Sequence, residues 1–100
     1  MEAKQVKRHH LQNLSTLFGV LSDETRLRLL VILRQRGEAH VNELCRILRL
    51  PQPTVSHHLG LLRIHGLARN RRDGKQVFYS VDPARYNRAV DAIRKLLAPC

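Results

Sequence analysis

Apolar residues recur along most of this chain at helical spacing, and one stretch near its middle alternates instead. Leu11, Leu14, Leu17, Phe18 and Leu21 form an amphipathic stripe. Ser22-Asp23-Glu24 then caps a second helix that runs through Leu27, Leu30, Val31 and Leu33 to a stop at Gly37, with Asp23 and Glu24 suited to its positive end. A third helix puts Val41, Leu44, Ile47 and Leu48 on one stripe and leaves Glu43 and Arg46 to water. The turn after it spans 49–52. Pro51 and Pro53 forbid helix continuation, and Gln52, standing before a proline, is pushed into extended conformation as a new helix opens with Pro53 at its first position. In that fourth helix Val55, Leu59 and Leu62 recur at i, i+4 and i+7, which packs one face and points Thr54, Ser56, His57 and Leu61 elsewhere.

Gly66 suits the end of the fourth helix, and from Leu67 to Val81 the pattern shifts toward two short strands around Asp73-Gly74, a hairpin-turn signal. The second strand, with Val77, Phe78, Tyr79 and Val81, is β-branched and aromatic. A last helix begins near Pro83 and lines up Tyr86, Ala89, Val90, Ile93, Leu96 and Leu97, a stripe that needs a partner surface. The predicted fold is therefore mainly α with a small β-hairpin, in the order ααααββα, which is a winged helix-turn-helix. Residues 1–10 read as a flexible basic N-terminal tail, and residues 11–100 as one DNA-binding and dimerisation domain. No internal repeat or low-complexity linker divides the chain.

Charge narrows the partner. Eighteen Lys and Arg against eight Asp and Glu give +10 per chain, which calls for a polyanion but by itself fits DNA, RNA and an anionic membrane alike. No apolar run reaches the length of a membrane span, and MEAKQVKRHH lacks the apolar core of a signal peptide, so a cytoplasmic protein with no membrane partner is expected. Short donors and acceptors on the first turns of the fourth helix are the groups that reach base edges in a major groove about 12 Å wide. Arg69, Arg71, Arg72 and Lys75, with Asp73 the one acid among them, give the hairpin the charge of a wing laid along phosphates. The plain alternatives are a polar helix face and a solvated loop. Two amphipathic end helices on a domain this small are most economically buried in a homodimer, although they could instead cover the monomer's own core. A dimer would set two reading helices about 34 Å apart, so the expected partner is a double-stranded inverted-repeat operator. A non-specific nucleic-acid-coating protein is the rival. An enzyme is not expected, because no nucleophile with its base, phosphate-cradling loop or carboxylate pair is evident.

Three motifs, LSDETRLRLLVIL, NELCRILRLPQPTVSHHLGLLR and GLARNRRDGKQVFYSVDP, resemble the ArsR/SmtB family of bacterial repressors, and the resemblance covers nearly the whole chain from about Leu11. It implies a homodimer that represses an operon until an inducer lowers its DNA affinity. It also places Gln52, Thr54, Ser56 and His57 where the family's recognition helix contacts DNA, and Arg71, Arg72, Lys75 and Gln76 on the matching wing. Gly60 departs from the pattern, since glycine costs roughly 1 kcal/mol inside a helix. A close helix contact is expected there.

The resemblance also frames what is sensed. Zinc-sensing relatives place Asp and His ligands at both ends of the last helix, where this chain has Pro83, Arg85, Leu96 and Pro99, and that site is absent. Arsenic- and cadmium-sensing relatives carry a Cys-x-Cys pair in the helix that holds Cys45, where soft ions find several thiolates, but Ile47 stands in place of the second thiol. Among six histidines, His57 and His58 diverge by about 100°, and His58 and His65 lie roughly 10.5 Å apart along one face, so neither pair clamps an ion. No cofactor is expected; the alternative is a thiophilic metal or metalloid ion as inducer, held by Cys45 with His9 and His10 across a dimer, or with Cys100. Two cysteines in a reducing compartment are thiols by default. The redox- and persulfide-responsive branch of the family, similar to this chain in NELC and in a cysteine near the end of the last helix, uses two such thiols as a switch. Cys45 and Cys100 are therefore the expected sensing thiols for a small oxidant or persulfide donor, with Arg46 and Arg49 favouring the thiolate. Joining them requires Cα atoms within about 7 Å.

Overall fold

The computed structural model describes residues 8–99. Its elements follow the expected order with one addition: α1 (Arg8–Leu21), α2 (Glu24–Arg36), β1 (Ala39–His40), α3 (Val41–Leu48), α4 (Gln52–Ile64), β2 (Ala68–Asp73), β3 (Gln76–Val81) and α5 (Pro83–Leu97). The sheet order is β1-β3-β2, antiparallel throughout. Helix α1 begins at Arg8, three residues before the expected Leu11, so the last part of the expected tail is helical. Residues 1–7 and Cys100 lie outside the described residues, and with them the remainder of that tail.

Helix α2 starts where Asp23, in extended backbone, accepts the Arg26 N–H at 3.1 Å, and it ends at Gly37, whose N–H reaches the Leu33 carbonyl at 2.8 Å. The short strand β1 was not expected. It pairs Ala39 with Tyr79 and His40 with Phe78, which buries Ala39. His40 then caps α3 reciprocally: its Nδ1 accepts the Glu43 N–H while Glu43 Oε1 accepts the His40 N–H, both at 3.3 Å. Arg49 closes α3 in left-handed backbone at φ 57°. The corner into α4 differs by one residue from expectation. Pro51 is the extended N-cap and Gln52 is already helical, which puts Pro53 in the second helical position. The pre-proline bias of Gln52 is overridden, because a proline within the first turn removes no hydrogen bond.

Leu29, Leu33, Leu44, Val55, Leu59 and Leu62 form the fully buried centre; α3 and α4 contribute residues of their expected stripes, whereas on α2 the buried face is Leu29, Leu30 and Leu33, and Leu29 was not in the expected stripe. Within those stripes Leu27, Val31 and Ile47 are exceptions and stay exposed. The hairpin turn is Gly74-Lys75, one residue beyond the expected pair, since Asp73 and Gln76 are the last paired residues; Gly74 supplies the positive φ of 62°. Gly66 carries φ 79° directly beneath the Arg85 side chain, so a side chain there would meet both strain and a clash. Gly60 corrects an expectation: a Cβ at that position would meet nothing within 4 Å, so no close contact within this chain accounts for it.

The two end helices are different in kind. Helix α1 buries only Val20, and α5 buries no residue. Leu11, Phe18, Leu96 and Leu97 are exposed, Leu97 to 73%. The molecule measures 51 × 22 × 21 Å. No helix among the described residues is long and apolar enough to cross a membrane.

Candidate nucleic-acid interface

Helix α4 is seated on its partners by Val55, Leu59 and Leu62, each with no exposed surface, and this fixes which side chains can point away. Successive helical residues turn by about 100°, so the four expected contact residues fan out around the outer surface. His57 stands opposite the buried edge and is exposed. Gln52 and Ser56 lie along one flank, where Gln52 Nε2 donates to Ser56 Oγ at 2.8 Å, and half-buried Thr54 lies on the other flank. No carboxylate occurs on α4, and no side chain caps its first turn. The amides of Gln52 and Thr54 are thereby left for an outside acceptor, and Pro53 has none to leave unmet.

Behind this face lies a hub that sequence reasoning missed. The Arg26 guanidinium donates Nε to the Val20 carbonyl at 2.6 Å and Nη2 to the Gly19 carbonyl at 3.5 Å, at the end of α1. Its Nη1 meets His58 Nδ1 on α4 at 3.1 Å. Because guanidinium only donates, His58 Nδ1 must accept, which assigns the proton of the neutral ring to Nε2. Asp23 Oδ1 sits 4.0 Å from the same ring nitrogen. The Asp23 carboxyl is held below its ordinary value, chiefly by the hydrogen bond it accepts from the Arg26 amide. The His58 ring in turn abuts that of His57, with centroids 5.6 Å apart. A chain of contacts therefore runs from the end of α1 to the outermost residue of the reading helix.

The hairpin sorts its cations by face. Arg69 and Arg71 share one side of β2 with Asp73, whereas Arg72 lies on the other, opposite Val77. Arg72, Lys75 and Gln76 are exposed, and among the described residues neither Arg72 nor Lys75 pairs with an acid. Arg71 does. It grips Glu38 through two hydrogen bonds of 2.8 and 2.7 Å and lies 4.5 Å from the centroid of the Phe78 ring. The Glu38 carboxyl is pulled down, first by that hydrogen bond, and the Arg71 guanidinium is pushed up by it. Nothing in the sequence pairs positions 38 and 71; only the register of three strands brings them together.

This arrangement is a helix-turn-helix followed by a basic wing, and comparison with known proteins gives it a lineage. Residues 23–70, which run from the α2 cap to the start of β2, match the bacterial regulatory proteins of the arsR family. The transcriptional repressor BigR from Xylella fastidiosa superposes with a TM-score of 0.71 at 31% identity over the whole of both chains. The chain belongs to the ArsR family. As an ArsR-family winged helix-turn-helix regulator, it is also similar to HlyU from Vibrio cholerae, with a TM-score of 0.73 at 27% identity, covering 93% of this chain and 100% of that one. The same protein solved as reduced HlyU matches with a TM-score of 0.68 at 28% identity, covering 88% and 92%. The arsenical resistance operon repressor of Escherichia coli is 46% identical over 67% of this chain, and the match spans 57% of that repressor's length.

The expected sensing residues divide. Cys45 is a free, half-buried thiol on α3, packed against the core. Cys100 lies outside the described residues. His9 and His10 stand side by side on the exposed first turn of α1, with ring centroids 4.4 Å apart. No group of three or more His, Cys, Asp or Glu comes together within one chain among the described residues, which leave out Cys100.

Proposed function

We propose that this chain is a homodimeric transcriptional repressor that grips an inverted-repeat duplex operator through α4 and the wing, and that chemistry at Cys45 and Cys100 releases it. One observation carries the reading. A helix sealed along one edge by Val55, Leu59 and Leu62 offers Gln52, Thr54, Ser56 and His57 on its free side, carries no acid, and is followed by a hairpin with exposed Arg72 and Lys75. Small polar groups on the first turns suit base edges in a major groove, the open amides at the start of α4 suit a phosphate, and the wing cations suit the neighbouring backbone. The uncovered stripes of α1 and α5 support a dimer with half-sites about one helical turn apart.

For the release step, Cys45 sits on the helix that backs α4, so a bond formed at its sulfur would pull on the support of the reading helix. Two thiols surrender two electrons and two protons when they join: a direct bond reduces one external disulfide to two thiols, and a bond through one added sulfur consumes two persulfides, the first donating its outer sulfur and leaving as a thiol, the second taking the two electrons and leaving as a thiol and hydrogen sulfide. The similarity to reduced HlyU favours this chemistry. A second reading, favoured by the similarity to the arsenical resistance operon repressor, makes Cys45 a ligand for a thiophilic metal or metalloid ion together with His9 and His10, or Cys100.

Gel-shift titration of reduced protein on an inverted repeat, against a scrambled duplex at fixed salt, tests the first half. A repressor keeps a preference of about 10³-fold or more, and equal affinity for both duplexes would reduce the chain to a coating protein. Repeating the titration after disulfide or persulfide treatment, with Cys45→Ser and Cys100→Ser alongside, tests the second half. Affinity that is lost in the native chain and kept in either variant supports the dithiol, whereas loss only on adding arsenite or a divalent ion supports the second reading.

A further inference from the structure

One of the wing's exposed cations, Arg71, is already paired with acids of its own chain. Strand register places Arg71 on β2 opposite Phe78 on β3, and Phe78 opposite His40 on β1, so one row crosses all three strands. Glu38 lies just before β1, at the far end of that row. Arg71 lies over the Phe78 ring and closes both donors of its fork on the two Glu38 oxygens, while the His40 ring meets the same Phe78 edge to face at 5.6 Å. Asp73, at 3.9 Å, adds a second carboxylate on that face.

We propose that Glu38 is a positioning residue that competes with the DNA backbone for Arg71: it keeps that guanidinium off the phosphates, stiffens the wing across its three strands, and leaves Arg72 and Lys75 as the phosphate contacts. The inference rests on the DNA-binding reading above and revises one of its residues, since Arg71 leaves the set of DNA contacts. An exposed ion pair alone would be a weak lock. Here the fork is bidentate and the guanidinium is stacked, so a phosphate, which can also accept two bonds from the fork, would have to replace two aligned hydrogen bonds and an aromatic face. The move would also leave the Glu38 carboxylate bare beside the anionic backbone.

The count of phosphates engaged is the readout, because a purely architectural role would not change it. On B-DNA each neutralised phosphate steepens the fall of log K with log[salt] by about 0.9, which is roughly a 3.5-fold difference in affinity between 50 and 200 mM salt. Full-length native protein, Arg72→Ala, Arg71→Ala, Glu38→Gln and the Glu38→Gln/Arg71→Ala double variant would be titrated on one duplex across that range. Arg72→Ala removes one phosphate contact from each subunit and should flatten the dimer's slope by about 1.8, which checks the underlying reading separately. Arg71→Ala should leave the slope at the native value. Glu38→Gln, isosteric and exposed, should steepen it by about 1.8 as Arg71 is released in both subunits, and the double variant should return it to native. The proposal is overturned if Arg71→Ala flattens the slope as Arg72→Ala does, if Glu38→Gln leaves it unchanged, or if the double variant keeps the steeper slope, which would trace the gain to lost repulsion from Glu38 alone.

Discussion

The head of this molecule and its end helices follow opposite rules. From α2 to β3 nearly every predicted apolar stripe finds an interior, with Leu29, Leu33, Leu44, Val55, Leu59 and Leu62 sealed at the centre. Helices α1 and α5 have stripes just as regular, yet α1 buries one residue and α5 none. Similar periodicity with unequal burial means that the head covers more of its apolar surface within one chain than the ends do, although Leu27, Val31, Ile47 and Ile64 stay exposed in the head. Leu11, Phe18, Leu96 and Leu97 are what a second copy would cover. The Arg26 hub joins the two regions, tying the last carbonyls of α1 to His58 on α4.

The comparison breaks most visibly in the head. Leu59→Ala removes a fully buried side chain from the centre of α4's packed edge and should cost about 2–5 kcal/mol, read as a lower urea midpoint. A cost below 1 kcal/mol would mean that the head is not the closed unit its burial describes. Leu97→Glu should do the reverse. The residue is 73% exposed in the single chain, so the charge should leave the unfolding of dilute monomer unchanged. In the proposed dimer it should weaken association by roughly 2 kcal/mol, about 30-fold in the monomer–dimer constant by sedimentation. Association that is untouched by Leu97→Glu would place the dimer surface elsewhere.

How far the sequence was legible divides along the same line. Periodicity located every helix to within a few residues, because Leu44, Val55 and Leu59 carry a signal that their burial repays. The hairpin was legible from Asp73-Gly74 and the β-branched run after it. Strand β1 was not, since two residues hold no period and the pairing of Ala39 with Tyr79 is made across forty residues of sequence. The reading helix announced its outward residues, but the sorting of Thr54 to one flank and Gln52 with Ser56 to the other needed the position of the buried edge. Least legible were the pairs distant in sequence: Arg26 with His58, and Glu38 with Arg71, each joined across more than thirty residues by tertiary packing. Arg71 was expected on DNA for its charge and for the wing position that the resemblance implies, and neither says which acid lies beside it.

The smallest expected effect makes the sharpest use of the contrast. Gly60 sits inside α4, in the region where packing decides most things, yet a Cβ there would meet nothing within 4 Å. With space available and helical backbone in place, Gly60→Ala should add about 0.5–1 kcal/mol to the stability of dilute monomer, chiefly by narrowing the unfolded ensemble. It should do so without changing the monomer–dimer constant. If the same variant instead weakened association, a neighbouring copy would have to lie against α4, and the division into a self-sufficient head and unfinished ends would fail at the reading helix itself.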